Sequence, residues 1–137
     1  MVPEDQEAVF KVWQHAVAVT HDFLSPEDKA EITQLVREEY IPQAHLIVAL
    51  NKDRIVGFMG MTDLTIDALF IDPSYFGRGI GRAFIEQARK RGGPLSVDVN
   101  EYNQGAATFY LKMGFKKIDR SDTDDQGRPY PLLHLRE

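Results

Sequence analysis

The sequence contains no cysteine among its 137 residues. This absence excludes a disulfide framework, a thiolate metal site and a cysteine nucleophile. Histidine is also sparse, and no two histidines stand four residues apart; they are His15, His21, His45 and His134. We therefore expect no zinc site and no other metal centre.

The chain also lacks long apolar runs, internal repeats, low-complexity segments and an excess of positive charge. The longest apolar runs have the length of a strand, and no signal peptide precedes the first predicted helix. We therefore expect a cytoplasmic protein without a membrane partner. The net charge of −5 argues against nucleic acid as a partner. Since no linker divides the chain, residues 1–137 are expected to form a single domain.

The spacing of the apolar residues predicts an α/β domain built in layers. A helical repeat covers residues 9–17, and Ser25-Pro26 has the form of a second helix start. That second helix is expected to run to about Tyr40, because Pro42 stops it. Further helices are expected after the glycines near residue 80 and over residues 103–113, and strands over residues 46–50, 55–61, 65–71, 95–99, 115–120 and 130–135.

Three alternating glycines, Gly77, Gly79 and Gly81, stand where the apolar strand over residues 65–71 gives way to a helix. A helix start without side chains presents backbone N–H groups at the positive end of the helix dipole, which suits a phosphate or a pyrophosphate. The G-x-G-x-G spacing differs from the G-x-G-x-x-G of dinucleotide folds, and it lacks the G-K-[ST] ending of a P-loop. The turn therefore predicts an anion site of another kind.

Residues 103–115 form a second informative segment. The asparagine at its start is a good N-cap, and the glycine at position 114 is typical of a helix end. One helical face is shared by Ala106, Phe109, Tyr110 and Met113. Taken alone, this segment predicts only an amphipathic helix.

In combination, the two segments resemble the GNAT superfamily of acyl-CoA-dependent N-acetyltransferases. The family's order is L-x-I-x-P, then G-x-G-x-G, then N-x-x-A-x-x-F-Y-x-x-x-G-F. The residues that carry it here are Leu69, Ile71, Pro73, Gly77, Gly79, Gly81, Asn103, Ala106, Phe109, Tyr110, Gly114 and Phe115. This core resemblance spans residues 45–120, and residues 20–25 and 125–133 also resemble the bacterial YjaB-type acetyltransferases.

The resemblance implies a single GNAT-like layered domain with a mixed, mostly antiparallel central sheet flanked by helices. Helix signals begin by Pro3, so the first strand that is usual in the family is expected to be absent or reduced to Met1-Val2. The strand over residues 46–50 would then be an exposed edge. Exposed edges favour pairing with a second copy of the chain, so a homodimer is expected.

The resemblance also implies acetyl-CoA as the cofactor. The strand that ends at Ile71 would pair with the pantetheine arm as an added strand does. Backbone amides of residues 76–82 would hold the pyrophosphate, with Arg78 and Arg82 as nearby cations. Asn103 would bond the pantetheine or orient the helix start. The expected cofactor residues are Leu69, Phe70, Ile71, Phe76, Gly77, Arg78, Gly79, Ile80, Gly81, Arg82, Asn103, Ala106, Tyr110 and Lys112.

One position departs from the family pattern. Phe76 stands where the family commonly has glutamine or arginine. The phosphate site is therefore expected to depend more on the backbone and less on that side chain.

For the chemistry, the resemblance assigns Tyr110 as a general acid that protonates the departing CoA thiolate. The amine would attack the acetyl group directly in a ternary complex, so no enzyme nucleophile is needed. The amine must lose a proton, and the candidate bases are Asp67, His21 and Glu101. We expect Asp67 to be the best placed, because strand alternation puts it on the same face as Leu69 and Ile71.

The acceptor side is less defined by the sequence. Asn100 is expected to bond the acceptor or an ordered water, and His21 and Phe23 are expected to lie over the acceptor. Small amines, aminoglycosides, amino acids and protein N-termini all stay open, so the partner is a small-molecule or peptide amine. Two other functions also stay open: a catalytically silent acyl-CoA binder that acts as a sensor or interaction module, and a binder of another nucleotide or phosphate.

Overall fold

A six-stranded sheet organises residues 2–137, the part of the chain that the computed structural model describes. Its strands are β1 (Leu46–Asn51), β2 (Arg54–Thr62), β3 (Thr65–Ile71), β4 (Ser96–Asn100), β5 (Lys116–Ser121) and β6 (Leu132–Arg136). They lie in the order β1-β2-β3-β4-β6-β5. Only β3 and β4 are parallel among these neighbours, so the sheet is mixed and mostly antiparallel, as expected.

Helices cover both faces of this sheet, and each face has its own apolar core. The helices are α1 (Gln6–Thr20), α2 (Pro26–Leu35), α3 (Ile41–Gln43), α4 (Ile80–Arg89) and α5 (Gln104–Lys112). Residues of α1, such as Trp13, pack with Phe58 of β2 in one cluster. Residues of α4 and α5, such as Ile85 and Tyr110, pack with Val97 in the other.

The sheet opens between β3 and β4. These two strands pair only at Thr65 with Ser96 and at Ile66 with Val97, and they diverge beyond that point. The rest of β3 therefore has β2 on one side and no strand on the other. This opening brings the end of β3, the start of α4 and the start of α5 around one space.

No strand precedes α1 in the described residues, as the sequence predicted. A short 3-10 turn over Pro3–Asp5 leads directly into α1, and no strand precedes it in residues 2–137. Met1 lies outside the described residues, so only Val2 of the expected remnant is seen. Strand β1 is the sheet's edge, with Leu50 at its exposed end. Pairing with a second copy through this edge stays a prediction.

The second helix extends past the expected stop. After α2 the chain continues through a π-helical turn, Val36–Tyr40, into α3, and Pro42 lies inside α3. The expectation that Pro42 ends the helix was therefore wrong. A proline ring normally clashes with the carbonyl four residues earlier, and the widened turn before it changes that spacing.

Asp67 occupies a β-bulge in β3. Gly60 of β2 pairs with Ala68 and Met61 pairs with Ile66, so Asp67 has no partner opposite it. A bulge inserts one residue and shifts the alternation of side chains. The expectation that Asp67 shares a face with Leu69 and Ile71 was therefore wrong.

Candidate active site

A cavity of about 500 Å³ opens where β3 leaves β4. Its walls come from the end of α1, the end of β3, the glycine turn with the start of α4, and α5. The lining residues are Ala16, Thr20, Leu69, Phe70, Ile71, Tyr75, Phe76, Gly77, Gly79, Ile80, Gly81, Arg82, Asn103, Gly105, Ala106, Phe109, Tyr110, Lys112 and Met113. All the residues expected to hold the cofactor are among them except Arg78.

The glycine turn begins α4 without a side-chain cap. Gly77 and Gly79 have φ angles of 76° and 83°, in the left-handed region that favours glycine. Gly79 is the N-cap of α4, and no side chain bonds the free amides of the first turn. Such amides at a helix N-terminus are suited to an anion.

Gly81 allows α4 to approach α5 closely. A Cβ at this position would lie 3.0 Å from the Phe109 ring and 3.4 Å from a methyl group of Ile71. Any larger residue at position 81 must push the ring of Phe109, which lines the cavity. The third glycine of the motif therefore serves packing, whereas the first two serve backbone conformation.

The two arginines of the motif have different surroundings. Arg82 lines the cavity. The guanidinium of Arg78 lies over the ring of Tyr75, 4.9 Å from its centroid, and Arg78 is not part of the lining. Arg82 is therefore the better placed cation for an anion in this cavity.

Asp72 anchors the segment that leads into the glycine turn. Among residues 2–137, Asp72 is the charged residue whose side chain is buried. Its carboxylate accepts a hydrogen bond from the backbone N–H of Ser74 at 3.0 Å and lies 3.3 Å from Nδ1 of His15. Burial acts to raise the pKa of Asp72, but these hydrogen bonds outweigh it, and the pKa lies below its usual range. Sequence reasoning missed this residue, because an aspartate before Pro73 reads only as a turn.

Tyr110 lines the cavity and is 5% exposed. Its ring meets Phe109 and Phe115 edge-on, with centroid separations of 5.1 Å and 5.3 Å. These contacts hold the ring in one position. Burial raises the pKa of Tyr110, so its hydroxyl stays protonated at neutral pH and can donate a proton.

Asn103 caps α5. Its Oδ1 accepts a hydrogen bond from the backbone N–H of Ala106 at 3.2 Å. Both residues line the cavity. The cap fixes the start of the helix that carries Tyr110, which agrees with one of the two roles expected for Asn103.

Five other predicted residues lie outside the cavity lining: Asn100, Glu101, His21, Phe23 and Asp67. Asn100 at the end of β4 accepts the backbone N–H of Tyr102 through Oδ1 at 3.0 Å. Glu101, a candidate base, is held by the guanidinium of Arg120 through two hydrogen bonds of 2.8 Å and 3.0 Å. An occupied carboxylate is a poor proton acceptor, so Glu101 is disfavoured as the base.

His21 and Phe23 belong to an aromatic cluster outside the cavity lining. Their ring centroids are 5.4 Å apart, and Phe23 also contacts the rings of Tyr102 and Tyr130. Burial lowers the pKa of His21, and the charge of Asp22 opposes this in part. The cluster joins the α1–α2 loop to the loop after β4, which gives both residues a packing role.

Asp67 lies in a second cavity of about 290 Å³. This cavity lies between the region of α3 and strands β2 and β3. Within it, Asp67 accepts a hydrogen bond from the hydroxyl of Thr62 at 2.6 Å. Burial, together with the charge of Asp67, raises the pKa of Tyr40 in the same cavity to about 12. The bulge thus places Asp67 in this second cavity and outside the lining of the larger one.

Sequence reasoning also missed the wall contributed by α1. Ala16 and Thr20 stand four residues apart, on one face of its last turn, and both line the larger cavity. Thr20 binds the carbonyl of Ala16 through its hydroxyl at 2.8 Å. The helical spacing was visible in the sequence, but which part of the helix lies over the end of β3 depends on tertiary packing.

Comparison with protein families matches residues 42–117 to the acetyltransferase (GNAT) domain. This range covers more than half of the chain, including the glycine turn and Tyr110. The chain belongs to the GNAT acetyltransferase family. The predicted fold and the predicted family are thereby confirmed.

Several relatives of this GNAT chain are known. The peptidyl-lysine N-acetyltransferase YjaB of Escherichia coli K12 is 47% identical over 133 residues, which cover 96% of this chain and 90% of YjaB. The solution structure of apo YjaB from Escherichia coli superposes with a TM-score of 0.91 at 46% identity, covering 97% of this chain and 90% of that one.

A more distant structure shares only the fold. The PaiA N-acetyltransferase of Thermoplasma acidophilum, solved in complex with coenzyme A, superposes with a TM-score of 0.76 at 19% identity, covering 98% of this chain and 94% of that one.

Two features are absent from residues 2–137. No helix there has the length and apolar character needed to cross a bilayer. No three side chains of histidine, aspartate or glutamate in that range are grouped as metal ligands.

Proposed function

We propose that this GNAT protein is an acetyl-CoA-dependent N-acetyltransferase whose acceptor is the side-chain amine of a lysine in a peptide or protein. One observation carries the proposal: the uncapped start of α4, the unpaired edge of β3 and the buried Tyr110 all line one cavity. The name of YjaB from Escherichia coli, which is 47% identical to this chain, specifies peptidyl-lysine and supports this acceptor.

The three parts of the cavity fit the three parts of acetyl-CoA. The free amides of α4, with Arg82, suit the pyrophosphate. The unpaired side of β3 near Ile71 suits the amide groups of the pantetheine arm, which can bond to it as a strand does. Tyr110, buried in the wall of the same cavity, would then meet the thioester.

Acetyl-CoA, when bound, supplies a thioester carbonyl that an uncharged amine can attack. As the carbon–nitrogen bond forms and the carbon–sulfur bond breaks, Tyr110 would donate its phenolic proton to the sulfur. The nitrogen would release its extra proton to solvent, and solvent would return a proton to the Tyr110 oxygen. Its raised pKa keeps the proton in place until then. The two neighbouring rings, Phe109 and Phe115, keep the hydroxyl aimed along one direction.

The proposal is tested with purified protein, acetyl-CoA and a capped synthetic peptide that contains one lysine. Free thiol release and the mass of the peptide are followed together. We expect thiol release matched by a gain of one acetyl group on the lysine. Thiol release without a change in peptide mass would contradict the acceptor, and the absence of both would contradict the transferase.

The role of Tyr110 is tested with Tyr110→Phe. Loss of a general acid is expected to lower kcat by about 100-fold, while the KM for acetyl-CoA stays unchanged. Tyr102→Phe is the matched control, because Tyr102 is exposed and does not line the cavity. If Tyr110→Phe keeps the kcat of the control, Tyr110 is not the acid.

A further inference from the structure

Two contacts hold the joining segment, residues 72–75, which leads from β3 to the glycine turn. Oδ2 of Asp72 lies 3.3 Å from Nδ1 of His15 on α1. The side-chain amide of Asn51, the last residue of β1, donates a hydrogen bond to the hydroxyl of Tyr75 at 3.0 Å. The joining segment is therefore attached to two elements, α1 and β1, that are distant from it in the chain.

Each carboxylate oxygen of Asp72 has its own donor. Oδ1 accepts the backbone N–H of Ser74, and because an ionised carboxylate only accepts, Nδ1 of His15 donates to Oδ2. A guanidinium nitrogen of Arg54 adds positive charge 3.8 Å from Oδ2. The carboxylate is therefore ionised although it is buried, and loss of a partner would leave its charge without compensation.

The glycine turn has little packing of its own. Among residues 72–79, Asp72 is the buried one, whereas residues 76–79 are exposed. At Gly77 and at Gly79, a Cβ would meet no atom within 4 Å in the described residues beyond their neighbours in the chain. The position of the turn is therefore set by its two attachments, which are α4 after it and the joining segment before it.

His15 connects the joining segment to another wall of the larger cavity. Ala16, the next residue of α1, lines the cavity, as do Ile71 and Tyr75 on either side of Asp72 in the chain. Asp72 and His15 do not line it themselves. The pair therefore lies outside the cavity lining and joins two of the cavity's walls, the end of α1 and the end of β3 with the glycine turn.

We propose that Asp72 is a positioning residue for acetyl-CoA. With His15 as its partner, it fixes the glycine turn relative to α1, so that the free amides of α4 stay directed at the pyrophosphate. Since neither side chain lines the cavity, both act through the turn. This inference rests on the proposed function, because it assigns the residues that shape the cofactor site of the same enzyme.

The inference is tested by isothermal titration calorimetry of acetyl-CoA binding. Asp72→Asn keeps an oxygen for the N–H of Ser74 but replaces the other oxygen by a nitrogen that only donates. We expect its Kd for acetyl-CoA to rise about tenfold, since a hydrogen bond to a charged group is lost. The matched control is Asp125→Asn, an exposed aspartate of the β5–β6 loop, which should have the wild-type Kd. A Kd for Asp72→Asn equal to that of this control would overturn the inference.

His15 offers a variant that should fold normally. Its side chain is 56% exposed, and leucine is a better helix former than histidine, so His15→Leu should leave α1 intact. We expect its Kd for acetyl-CoA to rise about fivefold, whereas the control His45→Leu, at another exposed histidine, should not change it.

A conservative variant separates the hydrogen bond from the shape of the side chain. His15→Asn places a side-chain N–H close to the position of Nδ1 and should restore most of the affinity, although asparagine is no better a helix former than histidine. Equal Kd values for His15→Leu and His15→Asn would contradict the positioning role.

A fragment of the cofactor separates positioning from a general loss of structure. S-acetylpantetheine contains the thioester and the pantetheine amides but no pyrophosphate. Its affinity, measured by competition with acetyl-CoA, should be the same in the wild type, Asp72→Asn and His15→Leu. A parallel loss of affinity for both ligands would show that the variants damage the whole cavity, and it would contradict a role at the pyrophosphate.

The outcomes also distinguish this inference from the proposed function. If the wild type binds acetyl-CoA and acetylates the peptide while Asp72→Asn binds like Asp125→Asn, the positioning role is wrong and the transferase stands. If the wild type binds acetyl-CoA but transfers no acetyl group, the proposed function fails, and the Kd values still decide the positioning role. Absence of acetyl-CoA binding by the wild type would overturn both.

Discussion

The phenol of Tyr130 donates a hydrogen bond to the carboxylate of Asp28, which lies 102 residues earlier in the chain. The same phenol oxygen accepts the backbone N–H of Ser25, the N-cap of α2, at 3.1 Å. Next to this pair, Arg128 lies 3.6 Å from Asp28 and also contacts Glu31. The loop between β5 and β6 is thereby fastened to the start of α2.

Tyr130→Phe should destabilise the protein without affecting its fold. It removes one donor and leaves the N–H of Ser25 without its partner, so we expect a loss of about 1–2 kcal/mol in the free energy of unfolding. Urea denaturation measures this loss. Tyr102→Phe serves as a control, since Tyr102 is exposed, and the idea is wrong if both variants unfold at the same urea concentration.

The pair should also contribute to the pH dependence of stability. The hydrogen bond from Tyr130 is the main cause that places the pKa of Asp28 below its usual range, with further help from Ser25. A group whose pKa is lower in the folded state stabilises the fold above its unfolded pKa of about 3.9 and loses that contribution as the pH falls through the folded value. The urea midpoint of Asp28→Asn should therefore change less than that of the wild type as the pH falls from about 5 to about 2, a range that passes through the unfolded pKa and continues below it. A parallel decline in both proteins would count against this assignment.

Arg82 and Arg78 provide a matched test of the anion site. Arg82 lines the cavity, whereas Arg78 lies over Tyr75. Arg82→Ala should raise the Kd for acetyl-CoA about tenfold, because a charge-assisted hydrogen bond to a phosphate is lost. Arg78→Ala should change it by much less. Isothermal titration calorimetry decides between them, and the reverse order of effects would show that the cavity is misassigned.

Gly79→Ala should weaken both the fold and cofactor binding. With φ at 83°, an alanine there is strained by about 1–2 kcal/mol, and relief of that strain would turn the amides of the first helical turn away from their present direction. Gly105→Ala is the control for stability, because its added methyl group would meet nothing closer than 3.9 Å. We expect a lower melting temperature only for Gly79→Ala, measured by differential scanning calorimetry.

The elements with clear local signals were predictable. Ser25-Pro26 begins α2 and Asn103 caps α5, as the sequence indicated, because these signals depend on neighbours within one turn. The residues predicted to hold the cofactor, all of which line the larger cavity except Arg78, follow from a motif confined to two short segments. In each case the deciding contacts are close in the chain.

Features that depend on distant strands were not predictable. The bulge at Asp67 requires β2 opposite it, so simple alternation gave the wrong face. The hydrogen bonds that join His134 on β6 to Asp98 on β4 and to Ser121 on β5 require β6 to lie between those two strands, an order that the chain sequence alone does not reveal. The extension of the second helix through Pro42 depends on the π-helical turn before it.

The short contact between β3 and β4 divides the sheet mechanically. These strands share two paired positions, whereas β2 and β3 share six and β4 and β6 share five. In hydrogen exchange, the halves β1-β2-β3 and β4-β6-β5 should therefore behave as two cooperative units with separate opening energies. A ligand seated between β3 and α5 contacts both halves, so its binding should couple their exchange rates and make them open as one.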